Sequence, residues 1–369
     1  MKNITAADVA RAMDEFAPRA YAESFDNTGL LTGEPATEIT GILVTHDCLE
    51  EVVDEAAEKG CNMIVSFHPI IFSGLKSLTG RTYVERAVMK AIRLGISIYA
   101  VHTALDNSFH GVNAGMCHAL GLSDRKILIP QEGTLKKITA YVPAAQADDV
   151  RRALFSAGAG AIGNYDSCSY NLSGTGTFRA LEGANPFVGD IGELHHETEE
   201  MISAVFPRHC QPRVIKALLS AHPYEEPAFE IIALDNTDRH IGMGMTGMLP
   251  GGGMDETDFL HLLRDVFDAR GIRYSAPTGR KIKKVAVLGG SGSFALKAAI
   301  AAGADAFVSA DFKYHDFFGA ENRILIADIG HFESERHTKN ILFDYLSEKF
   351  TNFAVRLSDI NTNPINYLQ

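Results

Sequence analysis

The feature that most limits what this chain can fold into is an alternation, near both of its ends, of short apolar β-forming runs with amphipathic helices. In the first third, ITGILVTHD reads as a strand and LEEVVDEAAEKG as a helix stopped by Gly60. CNMIVSFHP and ISIYAVHT are further strands, and YVERAVMKAIRLG and VNAGMCHALG further helices. The last third repeats the rhythm, with KKVAVLGG, ADAFVSAD and RILIADIG as strands and SFALKAAIAAG and ESERHTKNILFDYLSEKF as helices. Strands alternating with helices of this length pair largely in parallel. In open sheets of that kind, functional groups collect beyond the carboxyl ends of the strands.

Metal-donor side chains stand at three of those ends. MIVSFHP finishes at His68, ISIYAVHTALD carries His102 and Asp106, and RILIADIGHFESE carries His331 and Glu335. Imidazoles and carboxylates brought to one edge make a mixed N/O set suited to divalent transition metals. His331 and Glu335 are four apart, a spacing that stacks them on one helical face. A carboxylate in a first helical turn also suits the helix dipole, so Glu335 has a plain capping alternative. Pro69 holds His68 extended at its strand tip, where a hydrogen-bonded imidazole is the plain alternative. HTALDN has one too, as an ordinary helix start.

Weaker signals accompany these. SADFKYHD brings Lys313 and His315 to another strand end, either to bind phosphate and move protons or as a solvated loop. FDNTGLLTG offers Asp26 before Gly29, as a substrate-orienting group or an Asx turn. GGSGS reads first as a tight strand-to-helix connection, and second as a backbone that could approach phosphate.

The middle of the chain has a different pattern. KKITAYVP, ADDVRRALFSAG, CSYNLSGTGTFRAL, ETEEMISAVFP, PRVIKALLSAH and AFEIIALD follow the order β-α-β-β-α-β of a ferredoxin-like module. The expected fold class is therefore α/β: a split core with two related halves, residues 1–130 and 241–369, and an inserted ferredoxin-like α+β domain over 131–240. His195 and His196 in the insert could suggest a second metal site, against which a solvated loop or strand start is the plainer reading.

The formal net charge of −12 argues against general binding to nucleic acid or anionic membranes. The cysteines show no CxxC spacing, as expected of reduced thiols in a cytoplasmic protein. No apolar run approaches the ~20 residues that span a bilayer, and the N-terminal stretch has no signal-peptide core.

SFHPIIF, VHTALDN, FDNTGLLTG and GHFESE together resemble the signatures of the NIF-three-like dinuclear-metal family, whose bacterial members are commonly named GTP cyclohydrolase 1 type 2 homologues. GMGMTGMLP and SADFKYHD fall in the expected order, and the middle module resembles the PII/CutA-like insert of longer members. The resemblance implies His68, Asp106, His331 and Glu335 as metal ligands, with Glu335 bridging. It also implies one or two divalent ions per subunit (Zn, Fe, Mn or Ni), a homohexamer, and a metal-dependent hydrolase. A non-enzymatic metal-binding or regulatory assembly with a ligand-sensing insert is the alternative. One departure stands out. Family members often carry paired histidines before the proline, and Phe67 occupies the place of the first. One metal position then lacks a donor, to be completed by water or His102, or else it binds weakly. His102 is otherwise expected to orient a ligand or a bound water.

Overall fold

The computed structural model describes residues 3–368. The chain divides into two compact units, one formed by residues 1–130 and 239–369, the other by Gln131–Asp238. Before leaving the first unit the chain lays down β1 (Gly29–Thr32), β2 (Ile42–Thr45), β3 (Met63–Ser66), β4 (Ser97–Ala100) and β5 (Ser123–Pro130). The second unit contains β6 (Leu135–Pro143), β7 (Tyr170–Arg179), β8 (Leu194–Pro207) and β9 (Phe229–Ala233). On return come β10 (Gly242–Met248), β11 (Arg273–Tyr274), β12 (Lys284–Ser291), β13 (Ala306–Ala310), β14 (Leu325–Asp328) and β15 (Val355–Leu357).

The first unit is a mixed α/β body with two sheets. One has the order β1-β4-β3-β2-β15, with β1 antiparallel to β4 and the other pairings parallel. Every residue of β2, β3 and β4 is buried, as befits parallel strands covered on both faces. Ile42, Val44, Met63 and Val65 face the helix Ala6–Phe16. Leu43, Ile64 and Ile98 face the helices Glu50–Glu58 and Tyr83–Arg93. Thr5 and Thr82 accept hydrogen bonds from the first-turn N–H groups of Asp8 and Glu85 and so start two of these helices where the apolar periodicity begins.

The other sheet runs β11-β14-β13-β12-β10-β5, parallel across β12, β13 and β14 and antiparallel elsewhere. The halves trade strands. β5 precedes the excursion into the second unit yet pairs with β10, and β15 ends the chain's regular structure yet pairs with β2. Pro130 and Gly242 face each other across the β5/β10 ladder, so the points where the chain leaves and rejoins the unit are neighbours. β10 is glycine-rich because its neighbours press close: a Cβ on Gly247 would lie 2.7 Å from the Leu122 Cβ.

Parallel pairing aligns strand ends. Thr45 is in register with Ser66, and Ser66 with Ala100, so His46, Phe67 and Val101 leave the sheet together. The ladder continues one step further. The N–H of His68 donates to the His46 carbonyl (3.0 Å) and that of His102 to the Phe67 carbonyl (2.9 Å).

The second unit packs two helices, Ala147–Ser156 and Gln211–Ala221, on a four-stranded antiparallel sheet of order β7-β8-β6-β9. Val150, Leu154, Val214 and Leu218 meet Ile138, Ala140, Ile202 and Phe206 in a core of its own. Among the described residues, no helix is long and apolar enough to cross a membrane.

Candidate metal centre

Glu335 ends the short helix His331–Glu335 and is buried. Its Oε2 lies 3.3 Å from Nε2 of His331, 3.4 Å from Nε2 of His68 and 3.3 Å from Nε2 of His46. These approaches are ion pairs and not hydrogen bonds: among the described residues, buried Oε2 of Glu335 has no hydrogen-bond partner, nor do buried Nε2 of His46 and Oδ1 of Asp106. Buried polar atoms are nearly always satisfied. A carboxylate oxygen ringed by three imidazole nitrogens to which it makes no hydrogen bond is a donor set that fits a divalent cation. Among the described residues, donor atoms of His46, His68 and Glu335 all lie within 4.8 Å of one another, a possible metal site.

Carboxylates behind the rings fix their direction. Asp47 reaches both His46 (Nδ1–Oδ2 2.9 Å) and His68 (Nδ1–Oδ1 2.8 Å). Asp311 holds His331 at 2.7 Å, and Asp26 holds His102 at 2.8 Å. An ionised carboxylate only accepts, so Nδ1–H donates and Nε2 is turned toward Glu335, where a cation would take its lone pair in exchange for a proton. Thr362 steadies Asp47 through a hydroxyl donated at 2.6 Å. His102 and Asp311 occupy the left-handed region, at φ 31° and 57°, backbone strain of the kind that collects at functional sites.

The electrostatics follow from this crowding. Burial opposes ionisation of Glu335, yet His331, His46 and His68 hold its carboxyl well below the usual range. Burial would likewise lower the two flanking imidazoles. The carboxylates of Asp47 and Glu335 instead raise His68 to about 9, and those of Asp311 and Glu335 raise His331 to about 11. Asp106 goes the other way: burial, then the charge of Glu335, pushes its carboxyl well above its ordinary value. Two carboxylates this close repel, and a divalent cation relieves the repulsion.

The glycines at the end of β12 serve this arrangement. The N–H of Gly289 donates to Oδ1 of Asn113 (3.1 Å) and that of Gly290 to Oγ of Ser334 (2.9 Å). With those N–H groups bonded internally, the GGSGS turn seats Glu335 and does not present these donors to a phosphate.

The structure thus draws His68, His331 and Glu335 together, and places Asp106 where Glu335, His68 and His331 act on its ionisation. The His102 ring is 5.2 Å from that of His68, and its partner Asp26 also accepts from the N–H of Thr103. Lys313 and His315 are exposed on the segment after β13, where the His315 ring packs against Tyr314 and Phe318. His195 lies in β8, bonded to Glu197. Phe67 is buried, its ring centroid 5.5 Å from that of His46 and 4.8 Å from that of His68. His46, Asp47 and the orienting role of Asp311 are not among the residues that the sequence alone singles out. The signal for His46 was the one used elsewhere, a histidine ending an apolar strand in ILVTHD. Beside the imidazoles, a cavity of about 990 Å³ is bordered by Asp47, His68, Phe72, Lys76 and Thr362.

Comparison with known proteins agrees with this geometry. The sequence profile of the Duf34/NIF3 (NGG1p interacting factor 3) family matches residues 4–364. Proteins named GTP cyclohydrolase 1 type 2 homolog from Bacillus subtilis and Halalkalibacterium halodurans are 35% and 36% identical, each aligned over 100% of both chains. The crystal structure of a Bacillus cereus protein related to NIF3 superposes with a TM-score of 0.87 at 33% identity, covering 100% of each chain. On sequence and structure alike, the chain belongs to the Duf34/NIF3 family.

Proposed function

We propose that this protein is a metal-dependent hydrolase whose centre holds divalent cations through His68, Asp106, His331 and Glu335, with Glu335 shared between two positions. The observation that carries the reading is the buried Oε2 of Glu335, flanked by Nε2 of His68 and His331 and bonded to neither. A divalent metal held by these residues would supply Lewis acidity, lowering the pKa of water toward ~7. The residues of the chain do the rest. Asp47 and Asp311 keep the Nε2 atoms aimed inward, and burial keeps competing water away from Glu335. His102, with Nδ1 committed to Asp26 and its ring beside that of His68, serves in this reading to orient a ligand or a bound water.

The name shared by the relatives suggests GTP as the first substrate to test, and Zn, Fe, Mn or Ni as the metals. The same reading has a cytoplasmic homohexamer, with residues 131–240 as a ferredoxin-like, PII/CutA-like insert. Lys313 and His315 could meet a substrate phosphate from the exposed segment after β13. The independent core of the second unit supports a rival reading, a regulatory metal-binding assembly whose insert senses a ligand. Elemental analysis and a hydrolase screen that includes GTP, run on one preparation, decide between them. Bound metal with turnover supports the hydrolase, and bound metal with no turnover of any substrate class favours the regulator.

A further inference from the structure

We propose that His46 is itself a metal donor, supplied from β2 beside a position, Phe67, that has no donor atom to offer. With His68 and Glu335 it would complete one cation position, leaving His331 and Asp106 to share Glu335 at the other. The inference rests on the metal-centre reading above and deepens it.

Three observations carry it. His46 and Phe67 are successive steps beyond the paired residues Thr45 and Ser66, and they lie on the same face of the sheet, continuing Val44 and Val65. Their rings are neighbours, with centroids 5.5 Å apart, so an imidazole at either position borders the same strand-end edge. The Nε2 of His46 comes as close to Glu335 as that of His331, at 3.3 Å. That nitrogen is buried without a hydrogen-bond partner, on a side chain only 6% exposed.

Burying an imidazole nitrogen without a partner is costly. A purely structural residue next to Phe67 would more cheaply be apolar. Here the cost is accepted and the ring is also oriented: Asp47 grips Nδ1 of His46 with one oxygen and Nδ1 of His68 with the other. A single carboxylate aiming two imidazoles at one carboxylate oxygen is the arrangement of paired ligands with a common orienting group. The donor expected at position 67 has in effect moved one strand across.

The test is a reciprocal exchange on the full chain, stripped with chelator and reloaded with Zn²⁺ or Co²⁺. Wild type should bind two equivalents tightly and His46→Phe only one. The exchange variant H46F/F67H should regain the second. If His46→Phe keeps two tight cations, or the exchange variant stays at one, the inference fails. A wild type that binds no cation at all defeats the metal-centre reading and this inference with it. Unchanged binding in His46→Phe, alongside loss in His331→Ala, defeats this inference alone. Anomalous diffraction from Co²⁺-loaded wild-type crystals covers the case where His46→Phe does not fold. A cobalt ion at ~2.1 Å from Nε2 of His46, a normal metal–imidazole distance, supports the assignment, and cobalt bound only elsewhere overturns it.

Discussion

A Cβ on Gly290 would lie 2.4 Å from Oε1 of Glu335, closer than any side chain tolerates. The strand end and the buried carboxylate therefore fit together only because position 290 is glycine, which also adopts φ +67° there without strain. Gly290→Ala should displace Glu335 and place alanine in the left-handed region, a conformation that costs about 1–3 kcal/mol. Loss of tight metal with a lowered melting temperature is expected. Unaltered metal affinity in a folded Gly290→Ala protein would show that Glu335 is not held by this contact.

Asp47 touches two imidazoles and contributes no donor to the ring of atoms around Glu335. Replacing it by alanine frees both rings to turn while leaving their nitrogens in place. Metal affinity should fall by about 10–100-fold, the usual cost of removing a group that orients ligands. Isothermal titration of Asp47→Ala against wild type measures this. A change under twofold would mean that packing against Phe67 and Phe332 alone orients the rings.

In metal-free protein His68 and His331 titrate at about 9 and about 11, above the ~6.5 of an unfolded imidazole. Raised values mean that their ion pairs stabilise the fold fully below pH ~6.5 and that this is lost as pH climbs through about 9 and then about 11. A cation needs the same nitrogens free of protons, so its own stabilisation grows with pH over that interval. Thermal melts from pH 6.5 to 9 should show metal-free protein weakening while the rise in Tm on adding metal enlarges. A metal-induced rise that shrinks toward pH 9 would contradict the assignment of these imidazoles as ligands.

The chain leaves the first unit at Pro130 and rejoins it beside Gly242, its ladder neighbour. A short linker replacing Gln131–Asp238 has little distance to span, and loop-closure entropy rises slowly with length. The shortened protein should fold and bind metal as wild type does, since none of the donor residues lies in the deleted segment. Circular dichroism and metal titration check both points. A folded deletion variant without metal affinity would mean that the second unit supplies a ligand.

The legibility of the site follows from how local each signal is. His68, Asp106, His331 and Glu335 could be picked out because each stands where an apolar run breaks, and the i,i+4 spacing of His331 and Glu335 needs only the helix period. His46 obeys the same rule. It escaped notice because THD runs straight into the next helix, and because its value appears only when β2 and β3 align their ends. Asp47, Asp26 and Asp311 orient rings that lie 21, 76 and 20 residues away in sequence, pairings that no periodicity encodes. The exchange of β5 and β15 was hidden for related reasons. β15 is three residues long, too short to show alternation, and the order of strands in a sheet is a tertiary fact. The commoner uses of a GGSGS turn are local, whereas its role here depends on Ser334, 44 residues after Gly290, and on the carboxylate of Glu335 beside it.

Glu335 is proposed as the shared ligand of a divalent-metal centre. The most direct test is the metal content of purified wild type and of Glu335→Ala by elemental analysis, both reloaded identically and dialysed. Wild type should retain stoichiometric divalent metal and Glu335→Ala, still folded by circular dichroism, should retain almost none, because losing a bridging carboxylate weakens both positions. Equal metal content in the two proteins would contradict the claim.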